Sequence, residues 1–254
     1  MKIGILCGHP IKGLFDSQDE VVVDTVFDSV FMLLGKIGDH DVSFINRHGK
    51  EGTLPPHMVN YRANIQALAA SHVDCVISVG TVGSMNKDIG VGDFVVPDDF
   101  FDASRTRPCT FFDDQRIHVD MTDPFCPLLR ARLFERCERI KDIRAHNKGV
   151  YLTTEGPRLE SVAEIRFYSS IGDIVGMTLA PEVVLARERG MCFASVCVVC
   201  NMAAGLQEKL PVDDIRRIYK EKEAYLSDVI QGTVKMISKD NDCSCQKKIK
   251  DAML

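Results

Sequence analysis

Short runs rich in β-branched residues alternate with longer stretches of helical periodicity along this chain, from Lys2 to about Ser238. That alternation restricts the fold to the α/β class, with a mixed central β-sheet flanked by helices. Strands are predicted at Lys2–Leu6, Thr25–Leu34, Asp41–Asn46, Cys75–Val79, Phe94–Pro97, Gly149–Thr153, Ile174–Gly176 and Cys192–Cys200. Helices are predicted at Asn60–Ser71, Pro127–Ile140, Ser161–Ile171, Pro181–Arg189 and Pro211–Ser238. The last is charged along one face and apolar along another, the pattern of a surface helix. With no internal repeat or low-complexity linker, a single domain spanning 1–254 is expected, residues 239–254 forming a frayed tail.

The 254 residues, 45% hydrophobic and 26% charged, suffice for a substantial core. A net charge of -5 gives no basic balance for nucleic acid. The chain runs from Met1 straight into a strand pattern, without the charged and apolar regions of a signal peptide. Its longest uncharged run, Met191 to Gln207, falls short of a bilayer span. A cytoplasmic protein that engages no membrane is therefore expected. In that setting the ten cysteines read mostly as buried apolar filler, Cys192, Cys197 and Cys200 among them. Cys243-Ser244-Cys245 differs, lying among Lys, Asp and Asn, and is expected to be exposed. A redox role and a pair of inert thiols both fit it. No metal site is expected, because no second Cys or His pair lies at zinc-like spacing from it in the sequence.

Three blocks in the second half carry chemistry: TTEGPRLESVAEI with Leu159 and Glu160, GMTLAPEVVLARE with Met177 and Thr178, and CNMAAGL with Asn201 and Ala203. Together with an earlier NRHG block and LPPHMVNYRANI, they resemble the trimeric purine nucleoside phosphorylase and methylthioadenosine phosphorylase family. The run Asn201-Met202-Ala203-Ala204-Gly205 is similar to that of its 6-oxopurine members, methylthioinosine-type enzymes included; adenine-selective members carry Asp where this chain has Asn201. The motif order matches from the first strand to Leu206.

The resemblance implies a purine-salvage pentosyltransferase that splits inosine, guanosine or 5'-methylthioinosine with inorganic phosphate as co-substrate. No metal or organic cofactor is implied, and the assembly would be a homotrimer or a dimer of trimers. Glu160 and Asn201 would read the base and act in catalysis. An ionised carboxylate only accepts, which suits the N1 proton of a 6-oxopurine, whereas an amide both donates to O6 and accepts from N7-H. Leu159, Met177 and Ala203 would also contact the nucleoside. Leu159 stands where many relatives place Phe beside the purine, and some methylthioinosine-acting relatives share the Leu. His118 would reach a neighbouring subunit's 5' group.

Phosphate would be held by Arg47, a planar fork suited to bidentate pairing, with His48, the backbone at Gly80 and Thr81 in a glycine-containing loop, and the Thr178 hydroxyl. Three positions depart from the family pattern. His9 followed by Pro10 replaces a hydroxyl residue in the opening loop, Gly80 replaces Thr, Ser or Asn, and Gly52 stands where methylthioadenosine phosphorylases typically place His. A protonated His9 would still donate to phosphate. These departures leave two alternatives: a nucleoside hydrolase and a non-catalytic purine nucleoside-binding protein. Taken singly, Asn201 also fits a turn cap, Arg47 a surface ion-pair residue and His118 an exposed loop histidine.

Overall fold

A computed structural model describes residues 1–15, 18–208, 212–238, 243–249 and 252. The chain alternates as the sequence predicts: β1 Lys2–Cys7, β2 Gln18–Thr25, β3 Asp28–Ile37, β4 His40–Asn46, α1 Tyr61–Ala70, β5 Cys75–Ser84, β6 Phe94–Val95, β7 Asp99–Asp102, α2 Pro127–Glu138, β8 Ala145–His146, β9 Val150–Thr153, α3 Val162–Tyr168, β10 Ile174–Gly176, α4 Leu179–Glu188, β11 Cys192–Met202, α5 Val212–Met236 and α6 Cys245–Lys248. Pro211, where the last helix was expected to begin, and much of 239–254 lie outside the described residues.

All strands join one mixed sheet whose main path runs β2-β3-β4-β1-β5-β10-β9-β7, with β11 paired to β5 and β6. β1, β4, β5 and β11 are parallel neighbours and nearly continuous apolar runs, because helices cover both faces of this part of the sheet. One core layer packs β1, β5 and β11 against α2 and α5, and the other packs them against α1 and α4.

The predicted strand Thr25–Leu34 is two strands meeting in a hairpin, with Thr25 paired to Asp28 across Val26-Phe27. Its turn lacks the Asn-Gly or Asp-Gly that marks such hairpins in sequence, and β2 is largely exposed, so neither turn chemistry nor burial pattern exposes it. Ser161 caps α3 with a reciprocal capping box to Glu164. α4 begins two residues before the predicted Pro181, which fits the first turn because its missing N–H has no intrahelical partner there.

The tail expectation is corrected. Cys245 is buried and Cys243 half-buried, Ala252 is buried, and its carbonyl accepts the His118 N–H at 3.0 Å. Folding also brings Cys126 and Cys192 to these two thiols. Sequence spacing could not show this, as the partners come from three distant segments. Cys197 and Cys200 behave as expected: both are buried, and burial pushes their thiols up to about 12.

Candidate active site

A gap in the sheet makes the site. On one edge, β5 pairs with β1 only as far as Ser78, and β10 takes the same edge only from Gly83 onward. Val79, Gly80, Thr81 and Val82 between them face neither strand and line a crevice together with the residues that follow β1, β4 and β10. In open α/β sheets, ligands bind in such a crevice beyond the carboxyl ends of strands.

From β1 come Cys7, Gly8 and His9; from β4 come Arg47 and His48; after β10 come Met177 and Thr178; and Asn201 and Ala203 come from the end of β11. Leu159 and Glu160 close another side. Every candidate named from the sequence therefore lines one cavity, except His118. That residue is exposed on a loop away from it, its backbone tied to Ala252.

Arg47 is buried, and its fork is already engaged. Nε and Nη2 both donate to the Glu182 carboxylate, Nη2 to Oε2 at 3.0 Å, and Nη2 also donates to Ser78 Oγ at 2.9 Å. Nη1 donates to the Val79 carbonyl at 3.1 Å in the sheet gap. The expected bidentate pairing with phosphate is thus corrected: Glu182 holds the fork's Nε side, and the second Nη1 hydrogen remains for a ligand. Burial opposes the guanidinium charge, but Glu182 outweighs it and holds the pKa above the ordinary arginine value.

Gly8 is small for a reason visible here. A Cβ on it would lie 3.2 Å from His48 Nε2 and 3.8 Å from Arg47 Nη1, so a side chain would intrude between the two basic groups. His48 Nδ1 donates to the Leu54 carbonyl at 2.7 Å, which fixes the tautomer and leaves Nε2 as an acceptor in the neutral ring. Burial, then the Arg47 charge, pushes the imidazole below its ordinary value. His9 is lowered likewise, by partial burial and then by Arg216 and Arg47, so a neutral rather than a protonated His9 faces the crevice at neutral pH.

Gly80 and Thr81 lie inside β5, opposite Cys197 and Val198 of β11, rather than in a loop. Their freedom to meet an anion comes from the unpaired edge, not from glycine flexibility. Thr178 is the N-cap of α4, makes no capping bond with its side chain, and is buried, so its hydroxyl sits at the positive end of a helix. Gly52, one of the departures, has φ +66 and would bring a Cβ to 3.1 Å from Asn46 Nδ2, so its left-handed turn strains any larger residue.

Asn201 is set by a β-bulge. The β11 register shifts between Val199 and Asn201, placing Asn201 opposite Gly83, where an added Cβ would come within 2.9 Å of its Nδ2. Nδ2 donates one hydrogen to the Met202 carbonyl at 2.9 Å, leaving a second hydrogen and Oδ1 for a base. Glu160 Oε1 accepts from Thr154 Oγ1 at 2.6 Å and is half-buried, so one oxygen is oriented while the other is free to accept. Ala203 is buried beneath, its N–H held by the Ser84 carbonyl at 2.8 Å.

Three residues that shape the site escaped the sequence reading. Tyr219 and Ile215 of α5 line the cavity, and the Tyr219 ring packs on His9 at 5.0 Å between centroids. Tyr219 is one apolar-face residue among many in α5, so no local signal singles it out. Arg107, buried, donates to the carbonyls of Thr154, Glu155 and Met177 and to Tyr61 Oη at 3.2 Å. It ties the segment before Glu160 to the one carrying Met177 and Thr178. Nothing in the Arg105-Thr106-Arg107 run singles out the arginine that the fold turns inward.

The fold and the crevice define a nucleoside phosphorylase-type α/β protein. The phosphorylase superfamily model matches residues 2–235, and the chain belongs to that family. It is 45% identical over 226 residues to a probable S-methyl-5'-thioinosine phosphorylase of Methanothermobacter thermautotrophicus, covering 88% of this chain and 77% of that one. It is 39% identical over 255 residues to a 6-oxopurine nucleoside phosphorylase of Pyrococcus furiosus, covering 95% and 96%. Among solved structures, methylthioadenosine phosphorylase from Schistosoma mansoni in complex with adenine superposes with a TM-score of 0.91 at 26% identity, covering 99% of this chain and 98% of that one.

Proposed function

We propose that the protein catalyses phosphorolysis of a 6-oxopurine nucleoside, giving free base and a ribose 1-phosphate derivative. The observation that carries this reading is the convergence of Glu160 and Asn201 with Arg47, His48 and Thr178 on one crevice at the sheet gap. The relatives named for 6-oxopurine and methylthioinosine substrates support it.

Phosphate occupies the end near Gly8, between Arg47 Nη1, His48, the free edge of β5 and the Thr178 hydroxyl. Its oxygen attacks C1' as the bond to N9 breaks; the electron pair flows into the purine, which takes a proton from solvent at N7 and leaves as the neutral base. Asn201 Oδ1 accepts from N7-H and its remaining Nδ2 hydrogen donates to O6, while Glu160 accepts from N1-H. An adenine edge reverses the donor pattern and leaves these groups unpaired, the kind of mismatch that rejects an analogue by roughly 10^4-fold. Met177 lies against the ribose. Positioning and charge stabilisation of the ribosyl cation by phosphate supply the rate, with no cofactor.

Hydrolysis would need a base to activate water. Glu160, the sole carboxylate among the described lining residues, bonds Thr154 at the base end, Glu182 is bound to Arg47 and Ser78, and the acceptor Nε2 of His48 stands beside Arg47 Nη1, a pairing that serves an anion rather than water. A homotrimer or dimer of trimers, in which the exposed His118 meets a neighbour's nucleoside 5' group, belongs to this reading. No helix among the described residues is long and apolar enough to cross a membrane.

The test is base release from inosine, guanosine, methylthioinosine and adenosine, each with and without inorganic phosphate. Phosphate-dependent release from the 6-oxopurine substrates alone is the expected result. Release without phosphate, or preference for adenosine, defeats the reading.

A further inference from the structure

Four thiols from three distant segments meet at the opposite end of β11 from the nucleoside crevice. The sulfurs of Cys126, Cys192, Cys243 and Cys245 all lie within 4.8 Å of one another, and Cys192 and Cys243 are 3.2 Å apart. Four sulfurs about 2.3 Å from a central zinc form a tetrahedron with edges of roughly 3.8 Å, which this cluster matches with small adjustments. The residues come from the N-cap of α2, the first position of β11, and the two ends of the Cys-Ser-Cys segment leading into α6.

We propose that these four cysteines form a structural tetrathiolate site for a divalent zinc-like ion. Three features beyond proximity support this. Cys126 sits at the N-cap of the twelve-residue helix α2, and the Leu129 N–H points to its sulfur. The Cys245 N–H reaches the Cys243 sulfur, a second such contact of the kind that orients metal ligands. An open depression bordered by Met1, Lys2, Asp74 and Gln246 leads to Cys192 and Cys243 and gives an ion a way in.

The site would clip the C-terminal segment to the body of the protein. The same segment carries Ala252, whose carbonyl accepts the His118 N–H, so the ion would also steady the loop bearing His118. Four thiolates saturate a tetrahedral ion and leave no open position, which assigns the site to structure rather than catalysis.

The experiment uses the untagged full chain, fully reduced, stripped of metal by a chelator and then titrated with Zn(II) or Co(II). The expected result is tight uptake of one ion per chain, with Co(II) giving the sulfur charge-transfer and visible bands of a tetrahedral tetrathiolate. Zinc uptake should raise the melting temperature. C126S and C245S should abolish the cobalt bands, whereas C109S and C200S retain them. Absence of uptake by the reduced wild-type chain overturns the proposal even if no variant folds. So does a non-reducing mass map that finds the four sulfurs paired as two disulfides in protein that still refuses metal after reduction. Cobalt bands that survive both C126S and C245S overturn it as well.

Discussion

Arg47 and Glu182, 135 residues apart, form a buried ion pair beneath the anion end of the crevice, with Ser78 Oγ bonded to both partners. The carboxylate is fully buried and the guanidinium nearly so. This pair sets the direction of Arg47 and limits what the arginine offers a ligand to Nη1.

Removing the carboxylate therefore strands a charge. Glu182→Ala should destabilise the protein by about 3–5 kcal/mol, the cost of leaving a buried ion without its partner. Urea unfolding measures it; a loss below about 1 kcal/mol would mean that solvent reaches Arg47 and that the pair is not the buried anchor described.

Asn201→Asp should lower inosine turnover and shift the inosine to adenosine ratio toward adenosine by about 10-fold or more, because a carboxylate cannot donate to O6. Glu160→Ala should raise KM for 6-oxopurine nucleosides. A specificity ratio unchanged in both variants would remove these residues from base reading.

His48 predicts a pH dependence with a definite sign. Its Nδ1–H is committed to Leu54, so the neutral ring presents an acceptor toward phosphate, and burial and the Arg47 charge lower its pKa. The bound state then needs one more proton than free neutral His48 and phosphate dianion, carried on the ring or on the phosphate. Binding that takes up a proton weakens as pH rises, so KM for phosphate should climb between pH 7 and 9, by up to about tenfold per unit. His48→Gln, which can donate without protonation, should flatten the profile; an equally steep profile in the variant would count against His48.

Tyr219 tests the inserted imidazole. Tyr219→Leu removes the ring packed against His9 and should raise KM for phosphate several-fold while leaving the choice among purines unchanged. Loss of purine selectivity instead would place Tyr219 at the base rather than behind the phosphate.

Much of this was legible in the chain. Helical periodicity marked all five long helices, and the apolar runs of β1, β4 and β11 stood out because burial on both faces makes such strands nearly uniform. Motif order placed Glu160, Asn201, Arg47, His48 and Thr178 in one site, and the structure brings them there. The hairpin at Val26-Phe27 was not legible, since its turn carries no glycine signal. Tyr219 and Arg107 were not legible either, because an apolar-face tyrosine and a loop arginine look like many others until the fold aims them.

The sequence by itself determined the element pattern, the family blocks and the hydrogen-bonding types offered to a base, because these are local properties of residue identity and spacing. Only the tertiary structure decided that Glu182 occupies the Nε side of the Arg47 fork, that Gly80 and Thr81 lie on an unpaired strand edge, and that Cys243 and Cys245 meet Cys126 and Cys192. Each of these joins residues far apart in the chain, and their separation in space is set by how β5 changes partners from β1 to β10 and how the C-terminal segment packs back onto β11.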